Sequence, residues 1–549
     1  MTDRIDLTAA LQDLRNIVQS VESRVRRLES LAGDPGVENA AAVSAEESVV
    51  PEASEEPGRP GKVDALEQEI GERWLGPAGI VALVVGTAFF INYPFGPAFP
   101  QGLQVVISYL IAGGMFFLSR KGGERYPFAA HLLFAGSLLL LYLSTLRLHF
   151  FTPEPILSSR TLGLALLLLV PAGGFYAATR RRAEHLAILA LLLGLATAVF
   201  SDAVHLTLGL VAATAAGVVW VGQRQGWRLA ILIGLPLVYV AHLLWFFNNP
   251  LLGHPIQAVP EHHFNLIYVF IYCALFGAVD LFQQPEEDVD LFGSSLAFGN
   301  CAGLIALVAL VGPVHFPSQL SALYLLATIA CLGLASLYWV YRQNRLTTAI
   351  YACFGYMALS VAIITHFASP EQFVWLAWQS LLVISTAIWF RSKIVVTANI
   401  FIYAGILLVY LLLELPQLSV NLSYAAVALL SARVMNWQKQ RLELKTELMR
   451  NSYLFSAFVI VPYGLYHGVP ASYISLSFLG VAAFYFALSV LLKNEKYRWM
   501  AILTMLLTVV YVFLVDLGRL GPAFRIISLL VLGLALTVVS LLYTRHRQH

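Results

Sequence analysis

Charge is the scarcest ingredient of this 549-residue chain: Asp, Glu, Lys and Arg together make up 12% of it, against 58% hydrophobic residues. Its mean hydropathy is +0.73. A soluble domain carries about 25% charged residues, so water is not the solvent for most of this surface. There are only four cysteines, Cys273, Cys301, Cys331 and Cys353, all inside apolar runs. They lack CxxC-type spacing, which excludes a disulfide framework or a zinc site. The opening "MTDRIDLTAALQDLRNIVQS" has no apolar core of a signal peptide, so no cleavage is expected. Phosphate-cradling loops, dinucleotide fingerprints and HExxH pairs are missing, and "GSSLAFG" (293–299) fails the GxSxG spacing. No cofactor, no metal and no ATP site on this chain are expected. The net charge of +2 is spread over short loops and gives no footprint for nucleic acid.

What is present is apolar length. Runs of about 20 residues recur from Leu75 to the C-terminus, the length needed to cross a bilayer as a helix. The pattern predicts an all-α fold, a polytopic transmembrane helical bundle of about 18 spans, the first near 75–92 and the last near 523–543.

Ahead of the bundle, Leu7, Leu11, Leu14, Val18, Val21, Val25 and Leu28 alternate at spacings of four and three. That is a heptad seam, with leucine-rich d positions and Val18 and Val25 at a, and it predicts a cytoplasmic coiled coil over 1–32. Its expected partner is a second copy of the chain or another protein. Residues 33–62 are rich in Pro, Gly, Ala and Glu without periodicity and read as a disordered linker. Residues 63–549 form the expected transmembrane domain.

The distribution of basic residues tests the span count. With the N-terminus inside, all but four of the 34 Lys and Arg residues fall on the inner side. The exceptions are Arg147, Arg160, Arg519 and Arg525. Losing one span would invert every later loop and destroy this bias, so both termini are expected inside. One inner loop, "QQPEEDVD" (283–290), is acidic without a single Lys or Arg.

Two segments carry a family resemblance. "LEQEIGERWLGPAGIVALVVGTAFFINY" (66–93) has Gly71, Trp74, Gly79, Gly86, Phe89, Phe90 and Tyr93. "RWMAILTMLLTVVYVFLVDLGRLGPAFRIISLLVLGLALTVVSLLYTR" (498–545) has Phe513, Leu514, Asp516, Leu517, Leu520, Arg525, Ser528, Gly533 and Tyr543. They resemble the opening and closing of the bacterial membrane proteins grouped as domain of unknown function 2339. The resemblance covers about a seventh of the chain, and in between it extends only to apolar character. Asn92 and Tyr511 stand where such sequences often have lysines. The resemblance implies a bacterial cytoplasmic (inner) membrane protein and no particular activity.

Candidate sites follow from charge where charge is rare. Asp516, Arg519 and Arg525 flank a Gly521-Pro522 turn at the outer interface. An unpaired charge at membrane depth costs several kcal/mol, so an Asp516–Arg525 pair clamping the last hairpin is the favoured reading. A ligand site for an anionic headgroup is the alternative. Glu261, His262, His263, His242, His366 and Glu414 are outer-face polar candidates for acid–base chemistry, against the plainer reading of interfacial histidines replacing excluded Lys and Arg. The aromatic loops "NYPFGPAFP", "HFFTPEP" and "LLWFFNNP" form an interfacial belt or a platform for lipid-linked sugars. Pro171 and Pro236 should kink or break their helices. "GNCAG" (299–303) reads as close packing around Asn300, while Gln379 and Asn399 read as interhelical hydrogen bonds. "VMNWQKQRLELKTELMR" (434–450) suits contact with anionic lipid.

Three function classes remain: a transporter or flippase for a lipid or cell-envelope component, a non-catalytic membrane scaffold assembled through the coiled coil, and an envelope transferase with an outer His/carboxylate site. Membrane lipid is a partner in all three.

Overall fold

The computed structural model describes residues 76–93, 100–121, 127–150, 155–259, 264–279, 281, 291–413, 416–437, 447–516 and parts of 526–537. The expected coiled coil and linker lie outside the described residues. So do most of the last span and the acidic loop 283–290.

The described residues form seventeen α-helices. These are α1 (Gly76–Asn92), α2 (Gln101–Lys121), α3 (Pro127–Arg147), α4 (Arg160–Arg181), α5 (Glu184–Ser201) and α6 (Val204–Gln225). Next come α7 (Arg228–Phe246), α8 (Asn265–Gly277), α9 (Leu291–His315), α10 (Leu320–Arg342), α11 (Arg345–His366) and α12 (Glu371–Trp389). The rest are α13 (Lys393–Leu413), α14 (Leu418–Trp437), α15 (Glu447–Gly468), α16 (Ile474–Leu492) and α17 (Glu495–Tyr511), the last running into a π-helical turn, Val512–Asp516. The helices follow the apolar runs expected to span, the first of which, near 75–92, is the helix Gly76–Asn92. Among the described residues fourteen helices are long and apolar enough to cross a membrane, and Ala78–Asn92 and Asn265–Gly277 are shorter apolar helices. The fold is an all-α helical bundle, as expected.

The reason for helix throughout is that lipid offers no hydrogen bonds, so each backbone group must be satisfied within its own segment. Ends are closed locally. Asn344 caps α11 by accepting from the amides of Leu346 and Thr347, both at 3.1 Å. Asn494 does the same for α17 through Lys496 N at 3.0 Å. Gly226, at φ 73°, ends α6 in the left-handed conformation that costs glycine little. α4 and α7 run unbroken through Pro171 and Pro236. Of the two outcomes expected at these prolines, a kink or a break, the helices do not break: one missing amide does not interrupt a helix whose other bonds have no competitor in lipid.

Most successive helices pack on one another, most extensively α10 with α11, α14 with α15, α2 with α3 and α16 with α17. One continuous core runs from α5 through α17, with smaller clusters among α1–α5. Large apolar side chains such as Phe401 and Leu169 point outward and are exposed, while Asn300, Ser108 and Thr347 are buried. This is the arrangement of a protein whose outer solvent is hydrocarbon. Following the alternation of helix direction, every described Lys and Arg except Arg147 and Arg160 lies at helix ends on one face, the basic face.

Small residues allow the close approaches. A Cβ at Gly303 would sit 2.7 Å from the Tyr239 ring, and one at Gly299 would sit 2.6 Å from Leu235. The "GNCAG" stretch is therefore the packing face expected of it.

Candidate lipid cavity

The middle of α11 and α12 and the first two-thirds of α13 line an open-sided cavity of about 500 Å³. Its walls are apolar, from Phe354, Leu376, Val383, Val395 and Ile406, and its polar strip comes from Ser360, Gln379, Ser380, Asn399 and Tyr403. Met357 and Ile402 at its edge are about half exposed, so it opens sideways, toward the hydrocarbon. A polar residue facing lipid would be expensive, and the strip is held inward by mutual bonding. Gln379 Nε2 donates to the Tyr356 carbonyl at 2.8 Å and to Ser360 Oγ at 2.9 Å. Asn399 Nδ2 lies within bonding distance of Ser380 Oγ (2.8 Å), the Tyr453 hydroxyl (3.0 Å) and the Ser380 carbonyl (3.2 Å). These bonds fit the expectation for Gln379 and Asn399. All contacts of Asn399 use its amide nitrogen, so its Oδ1 stays an open acceptor among the described residues. Cys353 lines the same cavity, the one cysteine that is not fully buried.

A smaller cleft of about 280 Å³ lies on the face opposite the basic one, lined by His149, Arg160, Asp202 and Leu252 among others. Arg160 Nη2 donates to the Ser201 carbonyl at 2.6 Å, and His254 Nδ1 stands 4.0 Å from Asp202 Oδ1. Among the described residues no group of three His, Cys, Asp or Glu side chains is placed to hold a metal ion.

The sequence model of a family described as "Predicted membrane protein (DUF2339)" matches residues 71–469, most of the chain. The chain belongs to that family. No curated protein and no solved structure matches it. The DUF2339 match takes in the whole cavity, and it covers the middle of the chain, where the resemblance read from the sequence extended only to apolar character. The closing segment 498–545 lies past its end.

In this DUF2339 protein only His242 and His366 of the sequence candidates have described side chains. Glu261, His262, His263, Glu414, Arg519 and Arg525 lie outside the described residues, and of Asp516 only the backbone, the end of the π-helical turn, is described. His242 is fully enclosed in α7, its ring 5.5 Å from Trp245 and 5.8 Å from Tyr272, with neither nitrogen hydrogen-bonded. His366 is exposed at the end of α11 with its ring edge-on to Phe367 at 4.7 Å. No hydrogen bond or ring contact joins the two histidines among the described residues. The cavity itself was not predicted: Ser360, Gln379, Ser380 and Asn399 come from three helices. The available signal was a polar residue near the centre of each of three successive spans.

Proposed function

We propose that the protein is a transporter or flippase that handles a lipid or lipid-linked envelope component. The observation that carries this reading is the mid-helix cavity between α11, α12 and α13. It is apolar enough for a hydrocarbon chain, it opens toward lipid at Met357 and Ile402, and it offers the Asn399 carbonyl and the Gln379–Ser360 pair to a polar group travelling with that chain. Polar groups gathered at bilayer mid-depth mark substrate pathways in membrane bundles. The protein sits in a bacterial cytoplasmic membrane, with the basic face toward the cytoplasm and both termini there, in keeping with the positive-inside rule. Residues 1–32 pair with a second copy or another protein through the heptad seam.

The test is to extract wild type and Ala398→Phe, which fills the cavity, with native lipid around them and identify what co-purifies by mass spectrometry. A discrete lipid species held by wild type and lost from a folded Ala398→Phe supports the reading; the same lipids in both oppose it.

A transferase is the second reading, favoured by His149, Arg160, Asp202 and His254 meeting around the smaller cleft. It requires Asp202→Asn to abolish function in cells while the protein remains folded and correctly inserted.

A further inference from the structure

A second cleft, of about 600 Å³, lies away from the central cavity, at α2, α3 and α4. α3 forms its floor with Phe134, Leu138 and Leu141. α2 and α4 form its walls, and they pack on α3 rather than on each other. Two glycines line the gap, where a Cβ at Gly113 or at Gly173 would meet nothing within 4 Å.

The cleft is strongly asymmetric along its length. From Tyr109 toward the basic face its lining is almost wholly apolar, and it ends among Arg120, Arg180 and Arg181. The lining contains no carboxylate, and among the described residues none of the three guanidiniums has an acidic partner. Two of them are oriented by neutral neighbours. Arg180 Nε donates to the Tyr176 hydroxyl at 3.0 Å. Arg181 Nη1 donates to Ser119 Oγ at 3.1 Å while its guanidinium lies 4.1 Å from the centre of the Phe134 ring. Three like charges gathered with no counter-charge among the described residues repel one another and are stabilised by an anion.

Length identifies the anion. Tyr109 to Arg120 is eleven residues, about 16 Å of helix, half of the roughly 30 Å hydrocarbon core. The cleft is one leaflet deep, with apolar walls along that depth and cations at the headgroup level.

We propose that the α2–α3–α4 cleft is a binding site for a single anionic phospholipid of the leaflet on the basic face. One acyl chain lies along Leu141, Leu169 and Gly173, and the phosphate is held by Arg120, Arg180 and Arg181. Arginine suits this task because its planar fork meets phosphate oxygens bidentately. A free phosphate would leave the apolar length of the cleft unused. The inference stands apart from the proposed transport function: it uses other helices and holds for a scaffold as well.

The full chain is reconstituted in nanodiscs of equal parts phosphatidylglycerol and phosphatidylcholine, released in the mass spectrometer, and its retained lipid identified. Wild type keeps one phosphatidylglycerol in clear excess over phosphatidylcholine. Arg120→Gln/Arg180→Gln lowers that retention, by about fivefold for each arginine removed. Gly173→Leu, which places a side chain in the gap, abolishes it. Arg224→Gln removes a charge from the same face, where Arg224 stacks on Trp220 outside the cleft, and leaves retention unchanged. Retention of both lipids in proportion to supply, or equal loss in Arg224→Gln and the double variant, overturns the proposal. Should Gly173→Leu fail to fold, the two arginine variants decide.

Discussion

Asn300 of α9 accepts a hydrogen bond from the Tyr239 hydroxyl of α7, with 2.9 Å between the oxygens, at a point with no access to solvent. The other side of the same amide donates to the Cys273 carbonyl of α8 at 2.9 Å and reaches the Tyr351 hydroxyl of α11 at 3.3 Å. One side chain thus joins four helices in a region that offers no water to compete. Removing it takes a partner from the Cys273 carbonyl and the Tyr351 hydroxyl and leaves the Tyr239 hydroxyl only the Asn300 backbone carbonyl, at 3.2 Å.

The expected outcome of Asn300→Ala is a loss of about 1–2 kcal/mol, the upper range for hydrogen bonds inside membrane bundles. Tyr239→Phe should cost less, and the double variant should cost less than the two together, because the pair shares one bond. Thermal unfolding in detergent measures all three. Strict additivity would mean that the bond contributes nothing.

Glycine positions on neighbouring helices should respond with opposite signs. At Gly303 an added methyl meets the Tyr239 ring at 2.7 Å, so Gly303→Ala is expected to cost about 1–3 kcal/mol. At Gly333 of α10 nothing lies within 4 Å, and Gly333→Ala should gain about 0.5–1 kcal/mol from helix propensity alone. Melting temperatures of the two variants should move apart around wild type. A loss at both sites would contradict the packing described.

The cysteines supply a chemical probe of the central cavity. Cys273, Cys301 and Cys331 are at most 1% exposed, and Cys353 lines the cavity. A hydrophobic maleimide applied to the folded protein should modify Cys353 and spare the other three, and Ala398→Phe should slow that reaction. Peptide mapping reads the sites. Equal modification of Cys301 would show that reagent enters by another route.

Most of the architecture was legible in the sequence because a membrane span is specified by one local property, an apolar run of sufficient length. The first seventeen expected spans are all helices for that reason. Asn300 was legible too, since small residues on either side of it announce a tight helix contact. The prolines left a kink or a break open, and the break does not occur at Pro171 or Pro236, where the low-dielectric surroundings of α4 and α7 keep the remaining helix bonds closed. His242 shows the limit of reading depth from span position, because it lies one turn from the end of α7 and is nevertheless enclosed by Trp245 and Tyr272. The cavity depends on which helices meet, so the polar groups of α11, α12 and α13 could be named singly but not assembled. The arginine-tipped cleft escaped for the same reason, its three cations being read only as members of inner loops.

The central claim, that the cavity of α11–α13 carries a lipid across the bilayer, is tested most directly in proteoliposomes. Protein is reconstituted with a headgroup-fluorescent phospholipid, and dithionite reports the fraction reaching the outer leaflet over time. Wild type should raise the rate above protein-free vesicles, and Ala398→Phe, equally well inserted and folded, should return it to that baseline. Wild-type transfer that Ala398→Phe leaves intact would contradict the account.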